Sequence, residues 1–330
     1  MKLHRLKHYF SHLHYILFVR YRRYIPEPLL RGSCLRRLNV ERRHLSGTSL
    51  QWMELNTPDG LNQCTHPDMV RMPDGSFLLA VTPYPFGFAA YERPVIYRST
   101  DAVSWSYLAG PIDQQQPGER NHLSDPTLAL IGGTELVCWY RECVYNLETP
   151  LTNLYCMKSR DGVHWGEKTC VCSHPMVEYD VISPSLKWEE SRGLHGYFCL
   201  KREGRMALMY TADGKFSGDS VREIDLSPYL PAGKMLWHVS HVCGGEQDYL
   251  LLTLSDDFGG GNSQLYLGAV SHGASAIHRL RKLPVREQDP RIQLEYRACG
   301  LLHDDTITVC ASVQFQNRMW GCITFETTAD

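Results

Sequence analysis

Apolar residues beyond position 50 occur in short runs that are separated by turn-forming Gly, Pro, Asp and Asn. The apolar run 77–81, for example, follows the turn Pro73-Asp74-Gly75. A sustained 3.6-residue periodicity, which would indicate long amphipathic helices, is missing from this part of the chain. Short strands bounded by turn residues are typical of sandwiches, barrels and propellers. The pattern therefore predicts an all-β fold.

The strand pattern repeats along the chain. Pro67, Pro126 and Pro184 each follow a polar residue and open a strand, and their spacings are 59 and 58 residues. His238 and Tyr296 mark two weaker copies further on, and five such units fill the 283 residues that follow residue 47. We therefore expect a five-bladed β-propeller over residues 48–330, with the polar residue of each unit directed toward a central funnel.

A second motif, Ser-x-Asp-x-x-x-Trp, ends the third strand of the first two units, at residues 99–105 and 159–165. A degenerate copy lies at residues 210–214. The Asp side chain of such a motif can cap the turn, and the Trp ring can pack between neighbouring sheets. We interpret this motif as architecture rather than as chemistry.

The N-terminal region differs from the rest in charge. The whole chain is nearly neutral at −2, but residues 1–47 carry a net charge of +9 and the remaining residues −11. Residues 1–47 are therefore predicted to be a separate basic tail, either disordered or an amphipathic helix that carries Phe10, Leu13, Ile16 and Leu17. Such a helix would allow peripheral contact with an anionic membrane. Nucleic-acid binding is not expected, because the body is acidic and no recognised nucleic-acid motif follows the tail.

The apolar run 15–19 is interrupted by Arg20 and does not form an export signal, so we expect a cytoplasmic protein. The alternative is a cytoplasmic protein that is peripheral to the membrane. The 12 Cys residues show no paired CxxC spacing, which favours reduced core thiols over a disulfide scaffold. Dinucleotide-binding, P-loop and HExxH motifs are missing from the sequence. No cofactor and no metal are therefore predicted.

The Asp-Pro strands and the Ser-x-Asp-x-x-x-Trp turns resemble those of the five-bladed β-propeller glycosidases, glycoside hydrolase families 43 and 32 and their uncharacterised relatives. The similarity covers roughly residues 50–328. It implies a glycan-active protein that hydrolyses a glycosidic bond at the funnel. In those families an Asp in the first blade is the base or nucleophile, an Asp in the second orients and tunes, and a Glu in the third is the acid. Asp125 matches the second position, whereas His66 and Ser183 occupy the other two.

Four residues are candidates for catalysis: Asp125, Glu92, Asp68 and His66. Asp68 follows His66 by two residues, so strand periodicity predicts that both side chains point to the same side. Glu92 is expected to open the third strand of the first blade and to reach the funnel rim. Two carboxyl groups about 5–10 Å apart are the usual requirement for glycoside hydrolysis. The alternatives are structural roles: a turn cap for Asp125, a hydrogen-bonded strand residue for His66, a surface ion pair with Arg93 for Glu92 and a solvated strand end for Asp68.

Six further residues are candidates for binding an oligosaccharide or glycoconjugate: Arg141, Ser183, Trp237, His238, Tyr84 and Arg297. The structural alternatives are pairing with Asp125 for Arg141 and core packing for Trp237. The sequence leaves three other functions open. They are a non-catalytic carbohydrate-binding or interaction propeller, a glycosyl-transferring or phosphorolytic enzyme on the same scaffold, and a scaffold tethered to a membrane by the tail.

Overall fold

The computed structural model describes residues 25–45, 48–114 and 121–329. Helix α1 (Glu27–Leu45) and strand β1 (Gln51–Met53) come first. Blade I contains β2 (Cys64–Arg71), β3 (Phe77–Pro83), β4 (Val95–Ser99) and β5 (Ser106–Ala109), and blade II contains β6 (His122–Ile131), β7 (Glu135–Val144), β8 (Leu151–Ser159) and β9 (Thr169–Pro175).

Blade III contains β10 (Asp180–Glu189), β11 (Gly193–Arg202), β12 (Arg205–Thr211) and β13 (Val221–Ile224), and blade IV contains β14 (Met235–Val242), β15 (Gln247–Ser255), β16 (Gln264–Ser271) and β17 (Arg279–Lys282). Blade V contains β18 (Ile292–His303), β19 (Thr306–Phe315) and β20 (Trp320–Thr328), and the short helix α2 (Val285–Gln288) precedes it. Two 3₁₀ turns, Pro85–Gly87 and Ala89–Tyr91, lie between β3 and β4.

The described residues form five antiparallel four-stranded sheets, which confirms the predicted five-bladed propeller. The first strand of each blade is the innermost, as the repeat predicts. Blade V is completed by β1, which pairs with β20 in the register Gln51↔Thr324 and Met53↔Cys322. The beginning and the end of the propeller are thus joined in one sheet, which removes two open sheet edges.

Apolar side chains fill the spaces between neighbouring blades. One cluster joins blades V and I and includes the buried thiols Cys64, Cys299, Cys310 and Cys322. Eight of the 12 cysteines are buried, so these residues serve mainly as small apolar core groups.

The Ser-x-Asp-x-x-x-Trp turns have the predicted structural role. Asp101 Oδ1 accepts hydrogen bonds from the backbone N–H groups of Val103 and Ser104, at 2.8 and 2.7 Å. Asp161 caps the equivalent turn of blade II in the same way. These backbone hydrogen bonds lower the pKa of Asp101 to about 2. The indole N–H of Trp105 closes the turn by donating to the carbonyl of Ala102.

Helix α1 packs against the propeller. Cys34 and Leu38 on its inner face contact Leu61, Phe86 and Met319, which belong to loops around blades I and V. Residues 27–45 therefore share a core with the blades, although the charge pattern groups them with the tail. The predicted amphipathic segment with Phe10, Leu13, Ile16 and Leu17 lies outside the described residues. Among the residues that the structure describes, no helix has the length and apolarity needed to cross a membrane.

Candidate functional site

The inner strands of blades I, II and III each contain a β-bulge at the proline motif. In blade I, Thr65 pairs with Thr82 and the next pair is Asp68 with Ala80. The bulge residues before the prolines have left-handed backbone conformations, with φ of 52° at His66, 53° at Asp125 and 50° at Ser183. Non-glycine residues seldom adopt this conformation, and such strain is often concentrated at functional sites.

The bulges bring these three side chains together at one end of the channel, which we call the mouth. The axial cluster consists of His66, Glu92, Asp125, Arg141, Ser183, His238 and Arg297. Asp125 lies at its centre and is fully buried. Its Oδ1 lies 3.4 Å from His66 Nε2 and 3.2 Å from Arg297 Nη1, and its Oδ2 lies 3.1 Å from Arg141 Nε.

The charges around Asp125 keep it ionised. Burial by itself would raise the pKa of this carboxyl, but the neighbouring cations, led by His66 and Arg141, outweigh burial and hold the pKa well below its usual range. Arg141 extends the network, because its Nη1 lies 3.2 Å from Asp180 Oδ1. Thr152 also donates to Asp180, at 2.6 Å. Asp125 therefore serves as a fixed negative charge that orders the groups around it.

Glu92 lies beside the imidazole ring of His66, which Asp125 also approaches. It follows the second 3₁₀ turn in the β3–β4 connection, so the expectation that it opens the third strand is wrong. Its Oε2 lies 3.3 Å from His66 Nδ1 and has no hydrogen-bond partner among the described residues. Glu92 and Asp125 both approach His66, which places the two carboxylates less than about 10 Å apart, within the range that glycosidases use.

Asp68 is not part of the axial cluster. The bulge at His66 and Pro67 interrupts the two-residue alternation, so the prediction that Asp68 points to the same side as His66 is wrong. Its buried carboxylate accepts hydrogen bonds from the Leu128 backbone N–H at 2.6 Å and from Lys187 Nζ at 3.1 Å. These contacts join the inner strands of blades I, II and III, which is a structural role.

Aromatic rings border the mouth. The ring centroids of Tyr296 and His238 are 4.4 Å apart, and those of Tyr296 and His66 are 5.3 Å apart. Trp237 is half-buried next to His238. Trp320 stands between Tyr84 and Tyr296, at 5.4 and 5.2 Å. Trp320 carries no signal of this role in the sequence, because it begins β20 of blade V and has no place in the proline repeat.

Three members of the axial cluster could hold a metal ion. The ligand atoms of His66, Asp125 and His238 all lie within 4.8 Å of one another. Burial lowers the pKa of His238 well below its usual value, so its imidazole is neutral. Its Nε2 is buried and has no hydrogen-bond partner among the described residues, while its Nδ1 contacts the Ser183 hydroxyl. The three residues come from three blades, and each occupies the polar position of its repeat unit.

Two surface cavities lie away from the axial cluster. One of about 650 Å³ lies between blades V and I and is lined by residues such as Arg71, Phe77 and Glu326. Another, of about 360 Å³, lies beside the outer strands of blade III. Neither contains a residue of the axial cluster. The convergence of titratable groups, rather than cavity size, therefore identifies the mouth as the candidate site.

Comparisons with known proteins support the fold. No protein-family model matches the chain, and no curated protein is similar enough to match. Among solved structures, an N-acetylgalactosamine deacetylase from F. plautii is similar with a TM-score of 0.61 and 16% identity, over 81% of this chain and 90% of that chain. An exo-1,5-α-L-arabinanase from a bovine ruminal metagenomic library has a TM-score of 0.54 and 14% identity, over 81% of this chain and 92% of that chain.

The endo-arabinanase of glycoside hydrolase family 43 from Bacillus licheniformis also has a TM-score of 0.54, with 13% identity over 80% of this chain and 94% of that chain. The resemblance to the five-bladed propellers of this glycosidase family is thus confirmed at the level of the fold. Identities this low do not define the reaction.

Proposed function

We propose that this protein is a glycan-active enzyme that hydrolyses a glycosidic bond at the mouth of the propeller. The observation that supports this best is the position of His66 between the carboxylates of Glu92 and Asp125, beneath an aromatic rim. Such a site combines proton-transferring groups with flat apolar surfaces, and an oligosaccharide or glycoconjugate requires both.

Asp125 is the positioning residue in this proposal. A carboxylate beside Nε2 of an imidazole favours the tautomer that carries its hydrogen there. Nδ1 of His66 lies 3.0 Å from the Thr82 hydroxyl and 3.3 Å from Glu92 Oε2, so a proton can be shared between His66 and Glu92. We assign to Glu92 the transfer of this proton to the departing glycosidic oxygen, while water adds to the anomeric carbon and returns one proton to the pair of Glu92 and His66.

The aromatic residues of the rim and Arg141 bind the sugar in this proposal. Trp237, Tyr296 and Tyr84 are half-buried, so part of each side chain remains available for stacking on a sugar ring. The Arg141 side chain is 12% exposed and can donate to a sugar hydroxyl while it stays paired with Asp125. Arg297 is completely buried, and its Nη2 donates to the carbonyl of Pro184. Arg297 therefore acts through Asp125 rather than on the ligand.

A second candidate function is the removal of an acetyl group from an acetamido sugar. One of the structurally similar proteins is a deacetylase of N-acetylgalactosamine, and the grouping of His66, Asp125 and His238 could hold a divalent cation. Such an ion would polarise a carbonyl group or lower the pKa of a bound water. Against this candidate, the guanidinium groups of Arg141 and Arg297 already neutralise Asp125 and would repel a cation.

The experiment is a screen of glycosides, oligosaccharides and acetylated amino sugars with the full chain, with release of reducing ends and of acetate measured separately. Glycosidic cleavage should fall about 10²- to 10⁴-fold in Glu92→Gln, the usual contribution of a general acid. The control Glu135→Gln removes an exposed carboxylate that pairs with Lys158 and should leave the rate unchanged.

Acetate release that requires an added divalent ion and is lost in His238→Asn would support the second candidate instead. Saturable sugar binding without either product would refute both and indicate a non-catalytic binding propeller. Transfer of the glycosyl group to phosphate or to a second sugar would indicate the phosphorolytic or transferring alternative.

Location is a separate proposal: a cytoplasmic protein in peripheral contact with an anionic membrane through residues 1–47. Because residues 27–45 pack against the blades, the test should delete only residues 1–24. Sedimentation with anionic liposomes should then be lost, and equal binding by the full chain and the shortened chain would refute the proposal.

A further inference from the structure

A second group of titratable side chains lies at the opposite end of blades III and IV, which we call the base. The base cluster consists of His195 on β11, His241 on β14, Cys243 just after β14, Asp248 on β15, and Glu189 and Arg192 at the turn between β10 and β11. His241 and Cys243 follow His238 by three and five positions, so along the extended chain they lie about 10 and 16 Å from it.

The geometry of three base residues suits a metal ion. The ligand atoms of His195, His241 and Cys243 all lie within 4.8 Å of one another. Cys243 Sγ lies 3.8 Å from His241 Nε2. Bond lengths of about 2.0–2.3 Å in a tetrahedral zinc site place neighbouring ligand atoms about 3.3–3.6 Å apart. Small shifts of side chains would therefore complete the site.

His195 is already oriented as a metal ligand would be. The side chain is fully buried, and its Nδ1 lies 2.9 Å from the carbonyl oxygen of Gly193, to which it can donate. That bond leaves the lone pair on Nε2, which is buried and has no hydrogen-bond partner among the described residues. A ligating imidazole usually makes this backbone hydrogen bond through its other nitrogen.

The charges around the base cluster also favour a cation. Arg192 is neutralised by Asp248 through two hydrogen bonds of 2.9 and 2.7 Å. Tyr197 donates to the same carboxylate at 2.9 Å, so Asp248 is fixed in place. Glu189 Oε2 lies 3.4 Å from His195 Nε2, and its side chain is partly exposed. Glu189 Oε2 also accepts a hydrogen bond from Arg192 Nε, so Glu189 would become a fourth ligand by exchanging Arg192, which Asp248 still neutralises, for the ion. One thiolate with one carboxylate would then balance a divalent ion.

The same residues do not form a nucleophilic triad. In such a triad the imidazole uses one nitrogen for the nucleophile and the other for the carboxylate. Here Cys243 and Asp248 approach the same atom, His241 Nε2, at 3.8 and 3.0 Å. A proton relay from thiol to carboxylate through this ring is therefore not available.

We infer that His195, His241 and Cys243 bind a thiophilic divalent cation such as Zn²⁺, with Glu189 in the fourth position. Among the divalent cations of cells, Zn²⁺ is one that prefers imidazole and thiolate ligands. His195 belongs to blade III, whereas His241 and Cys243 belong to blade IV, so the ion would tie two blades together. The inference does not depend on the function proposed for the mouth.

Cobalt provides the test, because a thiolate bound to Co²⁺ gives a charge-transfer absorption band in the near ultraviolet. The full chain, stripped with a chelator, should develop this band at one equivalent of Co²⁺ and lose it on addition of Zn²⁺. Cys243→Ser should abolish the band. Loss of a residue that only supports a metal ligand weakens metal affinity about 10- to 100-fold. His195→Asn removes a ligand itself and should therefore weaken Zn²⁺ affinity by more than this.

Two variants serve as controls. Cys170→Ser removes an exposed thiol on β9, and His238→Asn removes an imidazole of the axial cluster; both should keep the band. Zn²⁺ should also protect Cys243 of the native chain from alkylation, a measurement that needs no variant. Absence of the band together with unprotected Cys243 would overturn the inference, as would metal binding that is lost in His238→Asn but kept in Cys243→Ser.

Discussion

The axial cluster and the base cluster are built from similar parts, yet their electrostatics differ. Each combines two histidines with carboxylates from more than one blade. At the mouth, Asp125 is paired with both Arg141 and Arg297. At the base, the one guanidinium that contacts the cluster among the described residues, Arg192, is neutralised by Asp248.

This difference decides which ligand each end of the propeller suits. At the mouth, Arg141 and Arg297 already pair with Asp125, and the partly exposed Arg141 can donate to the hydroxyl groups of a polar organic ligand. At the base, two imidazoles and a thiol place their ligand atoms within 4.8 Å of one another, and Nε2 of His195 has no hydrogen-bond partner among the described residues. One scaffold can therefore carry a sugar site and a metal site at its two ends.

The largest expected effect concerns Asp125. Replacement of this residue by Ala leaves Arg297 without its carboxylate partner and Arg141 with Asp180 alone, and we expect a loss of about 3–5 kcal/mol of unfolding free energy, as for other broken buried ion pairs. Chemical denaturation measures the change. Asp74→Ala removes an exposed ion pair with Arg98 and is the matched control, for which little change is expected. Equal stability of the two variants would contradict the central role of Asp125.

The next effect distinguishes the base from the mouth. A ligand at 100 times its Kd stabilises a protein by about 2.7 kcal/mol when it binds the native state alone. Zn²⁺ at that excess should raise the stability of the native chain and of Asp125→Asn by this amount. Cys243→Ser should show no such increase in a thermal or denaturant unfolding experiment. An increase that disappears only in Asp125→Asn would place the ion at the mouth instead.

The pH dependence of stability should differ between the native chain and Asp125→Asn. The folded pKa of Asp125 is depressed below its unfolded value of about 4, so its ion pairs stabilise the protein fully above that pH. This contribution is lost as the pH falls toward the folded pKa. We therefore expect the stability difference between the two proteins to shrink from pH 6 to pH 3 in urea titrations. A constant difference would show that Asp125 acts through packing rather than charge.

The smallest effect concerns the aromatic rim. Trp237→Ala should weaken sugar binding about 3- to 10-fold, the magnitude of one aromatic contact. Trp188→Ala removes an exposed indole near the base of blade III and should leave affinity unchanged. Titration calorimetry with a ligand from the activity screen measures both. Because Trp237 is half-buried, Trp237→Phe is a second variant that preserves packing, and unchanged affinity in both Trp237 variants would remove this residue from the binding site.

Much of the fold could be predicted from the sequence. The spacing of Pro67, Pro126 and Pro184 indicates a repeat whose units have the same local structure. The number of blades then follows from the length of the repeat and the length of the chain. The Ser-x-Asp-x-x-x-Trp turns were also recognisable, because Asp101 and Asp161 make all their capping bonds within a few residues. Contacts of this kind are local and leave a signature in neighbouring positions.

The candidate site could be predicted only in part. His66, Asp125 and Ser183 were identifiable because each precedes a repeated proline. The role of Asp68 was not, since strand alternation fails at a bulge whose left-handed residue is not encoded by any single residue type. Trp320 and the closure of blade V by β1 depend on contacts between distant parts of the chain.

The sequence by itself therefore determined the all-β class, the five repeats and the proline-linked positions, because hydrophobic alternation and turn chemistry are local properties. Only the tertiary structure decided which polar groups meet. All four other blades contribute to the surroundings of Asp125, and two blades share the base cluster. The distances and charges that distinguish the mouth from the base arise when the ring of blades closes, and residues far apart in the chain then share one low-dielectric environment.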